Sequence, residues 1–127
     1  MKVFEDFLKT LSPDHNNVIE FRHKSWFCRE VYDLFSSHNV AFCIVSAPKL
    51  PSDSVATGSI AYVRFHGVDS WYDYRYTKTE LKRWAREIKK LKVDTLAYFN
   101  NDVNAYAPFN ALELRKTLIE PRKTDPN

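Results

Sequence analysis

The feature that most constrains this sequence is an alternation. Four short runs rich in β-branched and aromatic residues (Asn17 to Arg22, Val40 to Val45, Ile60 to His66, Thr95 to Asn100) are separated by stretches whose apolar residues recur at helical spacing. Strands that alternate with helices pair in parallel, because each crossover returns the chain to the same end of the sheet. Between the first two runs, Phe27, Val31, Leu34, Phe35 and His38 fall on one helical face. Between the last two, Leu81, Trp84, Ala85, Ile88 and Leu91 do the same. Thr77 and Glu80 have the spacing of a capping box, which predicts a helix start near Lys78. Phe4, Phe7, Leu8 and Leu11 predict an opening helix that halts at Ser12-Pro13, and Ala105 to Ile119 a closing one. Pro48, Pro51 and Gly58 break residues 46–59 into a long loop with at most one helical turn. The predicted order is α-β-α-β-loop-β-α-β-α, one domain over residues 1–120 with a flexible tail at 121–127.

Composition narrows the function classes. At 44% hydrophobic and 28% charged the chain has the makings of a packed core, and no apolar run nears the roughly 20 residues a membrane helix needs. Two glycines leave no room for glycine-rich phosphate loops, and a formal charge of +3 is too small to identify a general nucleic-acid binder. Cys28 and Cys43 form no CxxC pair, and the acidic N-terminus is unlike a signal peptide, so a cytoplasmic protein is expected.

Chemistry concentrates where the strands end. In a parallel α/β structure ligands bind beyond the C-terminal strand ends, and residues at i and i+2 share a face. The first run ends Glu20-Phe-Arg22-His23, the third Arg64-Phe-His66-Gly67, and the fourth Asn100-Asn101-Asp102. Charges begun inside apolar strands must be paired or used. A structural network neutralising Arg22 or Arg64 through Glu20 is the competing reading. Trp26, Trp71, Tyr72, Tyr74 and Tyr76 follow strand ends, where they either stack on a ligand or lid the fold. Trp84 and Tyr98 read as core. The basic run Lys82, Arg83, Arg86, Lys89, Lys90 and Lys92 reads as a solvated helix face. The cysteines have no ligand spacing to the histidines, Glu20, His23 and His66 give only a weak metal signal, and no metal or cofactor is assigned.

Four segments carry a resemblance: Glu20 to Phe27, Tyr62 to Gly67, Tyr72-Asp-Tyr74 with Glu80-Leu81 and Trp84-Ala85, and Phe99 to Asp102 with Asn110-Ala111. In this order they resemble the YecE-like family, domain of unknown function 72. The resemblance implies a TIM-type (β/α) barrel, of which this chain is similar to the C-terminal half: about four parallel strands with their helices. The residues it carries over are Glu20, Arg22, His23, Trp26, Arg64, His66, Gly67, Asn100, Asn101 and Asp102. The chain departs from the family pattern at Lys24, where Pro is usual, and at Ser46, where an Asp is usual; the first four strands have no counterpart.

Three functional accounts are open. In the first, a hydrolase or isomerase acts on a phosphorylated or sugar-like substrate: Arg22 and Arg64 hold an oxyanion, Glu20 or Asp102 is base, His66 or His23 is acid, and Trp26, Gly67, Tyr72, Tyr74, Asn100 and Asn101 bind substrate. In the second, the same residues bind a nucleotide, phosphate or single-stranded nucleic acid without turnover. In the third, they organise an inactive half-barrel. The expected partners are a small anion and either a second copy or a separately encoded N-terminal half, with no membrane.

Overall fold

The computed structural model describes residues 1–119, a mixed α/β fold in which every strand pairing is parallel. The chain runs α1 (Lys2–Leu8), β1 (Val18–Ile19), a 3₁₀ turn (Lys24–Trp26), α2 (Arg29–Ser37), β2 (Ala41–Phe42), β3 (Ile44–Ser46), β4 (Ile60–Phe65), α3 (Lys78–Leu91), β5 (Asp94–Phe99) and α4 (Tyr106–Ile119). β1 pairs with β2, and β3, β4 and β5 lie side by side in that order. β2 and β3 are two halves of one extended run divided at Cys43. The first half bonds to β1 and the second to β4, with the Cys43 N–H still donating to the Ile19 carbonyl at 2.9 Å.

The second expected strand is therefore split, and the first shrinks to two residues. The β1 ladder stops at Ile19, and just beyond it Glu20 reaches Arg64 and His66 while Arg22 pairs with Glu20 and lies over Trp71. α1 ends at Leu8, followed by a tighter turn in which Leu11 N–H bonds the Leu8 carbonyl. The expected tail at 121–127 lies outside the described residues. Residues 51–57 are extended and irregular, and buried Thr57 fastens them: its hydroxyl accepts from Phe42 N–H at 2.8 Å and donates to the Val40 carbonyl at 2.7 Å. Two sheet groups that lack a strand partner are thereby satisfied.

α3 begins where its capping box places it. Thr77 Oγ1 accepts from Glu80 N–H, and the Glu80 carboxylate accepts from Thr77 N–H at 2.8 Å. Its stripe of Leu81, Trp84, Ala85 and Ile88 packs with Val63, Phe65 and Leu114 into one core cluster. Phe65, fully buried, lies flat on Phe99 at 4.3 Å and edge-on to Trp84 and Tyr76. A second cluster joins α1 and α2 to β2 through Leu8, Val31, Phe35 and Phe42.

Side chains alternate across a strand, so helices that cover Ala61, Val63 and Phe65 leave Tyr62 and Arg64 on the other face. Along β5 that face carries Leu96 and Tyr98, 46% and 48% exposed. The expectation that Tyr98 is core is thus corrected: it stacks on Tyr62 at 5.0 Å on the sheet face away from the helices.

Truncating the ring at the centre of the first cluster tests this packing. Phe65→Ala is expected to cost about 3–5 kcal/mol in urea unfolding, since it opens a cavity between β4 and α3. A loss below about 1 kcal/mol contradicts the assigned core.

Candidate functional site

Three strand ends bring their polar groups to one point, and Glu20 is its centre. Glu20 Oε1 accepts from His66 Nε2 at 3.0 Å and lies in an ion pair 2.8 Å from Arg22 Nε, while Oε2 accepts from Arg64 Nη1 at 2.8 Å. The Cys43 thiol lies 3.8 Å from the same Oε2. Burial would raise the Glu20 pKa, but hydrogen bonds from His66 and Arg64 and the charge of Arg22 outweigh it and hold the group at about 2, below the ordinary 4.5. Burial and then the neighbouring Glu20 charge push the Cys43 thiol up to about 12, so it stays protonated.

Arg64 spends its remaining donors on Asn100, whose Oδ1 accepts from Nε at 3.0 Å and Nη2 at 2.8 Å. Arg22 is held differently. Only its Nε is engaged by Glu20, its guanidinium lies 4.9 Å over the Trp71 ring, and its side chain is about half exposed. Among the described residues its terminal Nη groups have no partner.

His66 is completely buried, with Trp71 and Tyr72 against its ring at 5.3 and 5.6 Å. Because ionised Glu20 can only accept, a neutral His66 carries its proton on Nε2, and Nδ1 is a buried acceptor with no partner among the described residues. The turn that lays the two aromatics over it needs unusual backbone. Gly67 sits at φ +130°, where a Cβ would run into the Ser70 carbonyl oxygen, and Tyr72 takes φ 67° with its N–H on the His66 carbonyl at 2.6 Å.

The remaining expected residues lie elsewhere. His23 faces solvent and caps the 3₁₀ turn, its Nδ1 accepting from Ser25 N–H. Trp26 stacks flat on Phe21 at 4.3 Å against the second core cluster, because the turn after β1 folds it back under α1. Asp102 is exposed in the turn before α4. Tyr74 donates to Glu80 at 2.6 Å at the start of α3. Asn101, fully buried, points away from Asn100 and donates to the Tyr74 carbonyl and to Asn110 Oδ1. Glu20, Arg22, Arg64, His66, Tyr72 and Asn100 therefore converge; His23, Trp26, Tyr74, Asn101 and Asp102 do not. Among the described residues no group of three or more His, Cys, Asp or Glu is placed to hold a metal ion.

A buried brace behind the mouth was not legible as such. Tyr76 Oη accepts from Gly67 N–H at 2.9 Å and donates to Ser46 Oγ at 2.8 Å, while Asn110 accepts from Tyr76 N–H and donates to its carbonyl. The only sequence signal was a polar Asn110 on the apolar side of a helix.

A family model described as "Protein of unknown function DUF72" matches residues 1–127. The chain belongs to the DUF72 family. A DUF72 family protein from Thermotoga maritima MSB8 is 32% identical, with a TM-score of 0.84 over 94% of this chain and 51% of that one. A second DUF72 family protein, from Enterococcus faecalis V583, is 20% identical, with a TM-score of 0.77 over 98% and 55%. This DUF72 chain thus spans about half the length of the solved relatives it matches. No curated protein matches it.

The depressed Glu20 pKa fixes a pH dependence. Stability from the ionised carboxylate is fully present above the unfolded value near 4.5 and is lost as pH falls toward the folded value of about 2. Urea unfolding of the native chain should therefore weaken through that window, and Glu20→Gln should be less stable at neutral pH with a flatter acid limb. Parallel acid limbs for the two proteins contradict the assignment.

Proposed function

We propose that this chain binds a small oxyanion, a phosphorylated or carboxylated compound, at the strand-end mouth of one half of a (β/α)8-type barrel. The observation that carries the reading is Arg22. Two arginines share one carboxylate, so the cluster keeps a net positive charge, and the half-exposed Arg22 guanidinium lies over Trp71 with no hydrogen bond among the described residues. Glu20 serves as the anchor that fixes both guanidinium groups; a carboxylate held at about 2 by cationic and hydrogen-bond partners is a poor base. The half-barrel reading draws on the open sheet face with Leu96 and Tyr98, and the expected complement is a second copy or another half. No helix of the described residues is long and apolar enough to cross a membrane.

A hydrolase or isomerase reading is favoured by one observation, the Glu20–His66 pair. A carboxylate that fixes an imidazole tautomer leaves the other ring nitrogen as the proton acceptor. His66 Nδ1 would be that base once Trp71 and Tyr72 move aside, which reverses the expectation that His66 is the acid.

Calorimetric titration with inorganic phosphate and with a sugar phosphate tests the binding reading. Arg22→Ala should weaken binding about tenfold to a hundredfold, the loss of a charge-assisted hydrogen bond, while leaving the melting temperature nearly unchanged. Arg22→Lys should restore only part, because an ammonium lacks the planar edge. Equal affinity in all three proteins refutes the proposal.

A further inference from the structure

The charge of this chain is concentrated on one helix. Residues 78–92 hold seven lysines and arginines against Glu80 and Glu87, a net +5, whereas the whole chain nets +3; everything else together is net negative. All seven cations are exposed, and the opposite stripe of α3 is buried in the core.

Lys78, Lys82, Arg86 and Lys89 recur at i, i+4, i+8 and i+11, so they form one ridge of about 16 Å along the helix. The two acidic residues do not neutralise it. Glu87 pairs with Lys90 at 2.7 Å, and Glu80 is spent on Thr77 and Tyr74. None of the four ridge side chains has a hydrogen bond or ion pair among the described residues. Like charges three and four apart weaken a helix by about 0.2–0.5 kcal/mol per pair, so the ridge is maintained against helix stability.

We propose that this ridge is a docking surface for the phosphate backbone of nucleic acid, read without base sequence. The composition of the face selects the partner. A membrane-surface helix needs an exposed apolar face, and the apolar stripe of α3 is already buried against β4. A protein interface needs aromatic or aliphatic anchors at its centre, and the ridge presents none. A duplex strand offers one phosphate per about 3.4 Å of axis, so about five phosphates lie along the length of the ridge. Three of the four cations are lysines, point charges that suit phosphate contact without a fixed orientation. The ridge is separated from the Glu20 mouth by the sheet, since α3 packs on the Val63 and Phe65 face and Arg64 lies on the other.

Fluorescence anisotropy with a labelled mixed-sequence DNA duplex of about 20 base pairs tests this on the whole chain. Four phosphate contacts predict binding at about 25 mM salt that weakens with a log–log slope of about −3.6. Lys82→Ala should bring that slope down by about one, and Lys82→Glu/Arg86→Glu/Lys89→Glu should weaken binding at least about thirtyfold at unchanged melting temperature. The charge-matched control Lys2→Glu/Lys9→Glu/Arg29→Glu should stay within about threefold of the native chain. Absence of binding at low salt, a slope shallower than about −1, or an equal loss in the control overturns the proposal. So does competition by anionic vesicles or polyglutamate as effective as that by unlabelled duplex.

Discussion

One carboxylate holds this molecule's strand ends in register. Glu20 leaves the end of a two-residue strand, accepts from Arg64 and His66 and pairs its charge with Arg22, groups supplied by the ends of the first and fourth strands in chain order. β1 and β4 share no ladder; the split run of β2 and β3 lies between them, bonded to one at its start and to the other at its end. Glu20 spans that gap through side chains. Without it, Arg22 and Arg64 would both lose their carboxylate partner.

The polar brace behind the mouth explains why the cluster is aimed outward. Tyr76 and Ser46 pin Gly67, and Asn110 pins Tyr76, so the corner after β4 is fixed from the helix side by buried, mutually satisfied groups. Gly67 then permits the turn that lays Trp71 and Tyr72 over His66. Ser46 thus has a bracing role here.

Much of the fold could be read from the sequence, because its signals are local. The alternation of β-type runs with amphipathic stripes gave the order of elements and their parallel pairing, and Thr77 with Glu80 placed the start of α3. The features that could not be read depend on contacts distant in the chain. The division at Cys43 arises from a change of pairing partner, and Tyr98 is exposed because no described helix covers that face of β5. At the site, the i, i+2 pairs correctly placed Glu20 with Arg22 and Arg64 with His66, but spacing along a strand does not fix the path of the chain beyond the strand's end. Trp26 and Asn101, each one step past a predictable end, turn into the core and the brace instead of toward the mouth.

The central claim, that Glu20 is an ionised anchor held by hydrogen bonds from Arg64 and His66 and by the charge of Arg22, is tested most directly by following its side-chain carboxyl carbon by NMR as the pH is lowered. The account predicts a titration midpoint near 2, with the Arg22 and Arg64 side-chain N–H signals shifting in the same step. A midpoint at the ordinary value of 4.5, with the arginine signals unmoved, would contradict it.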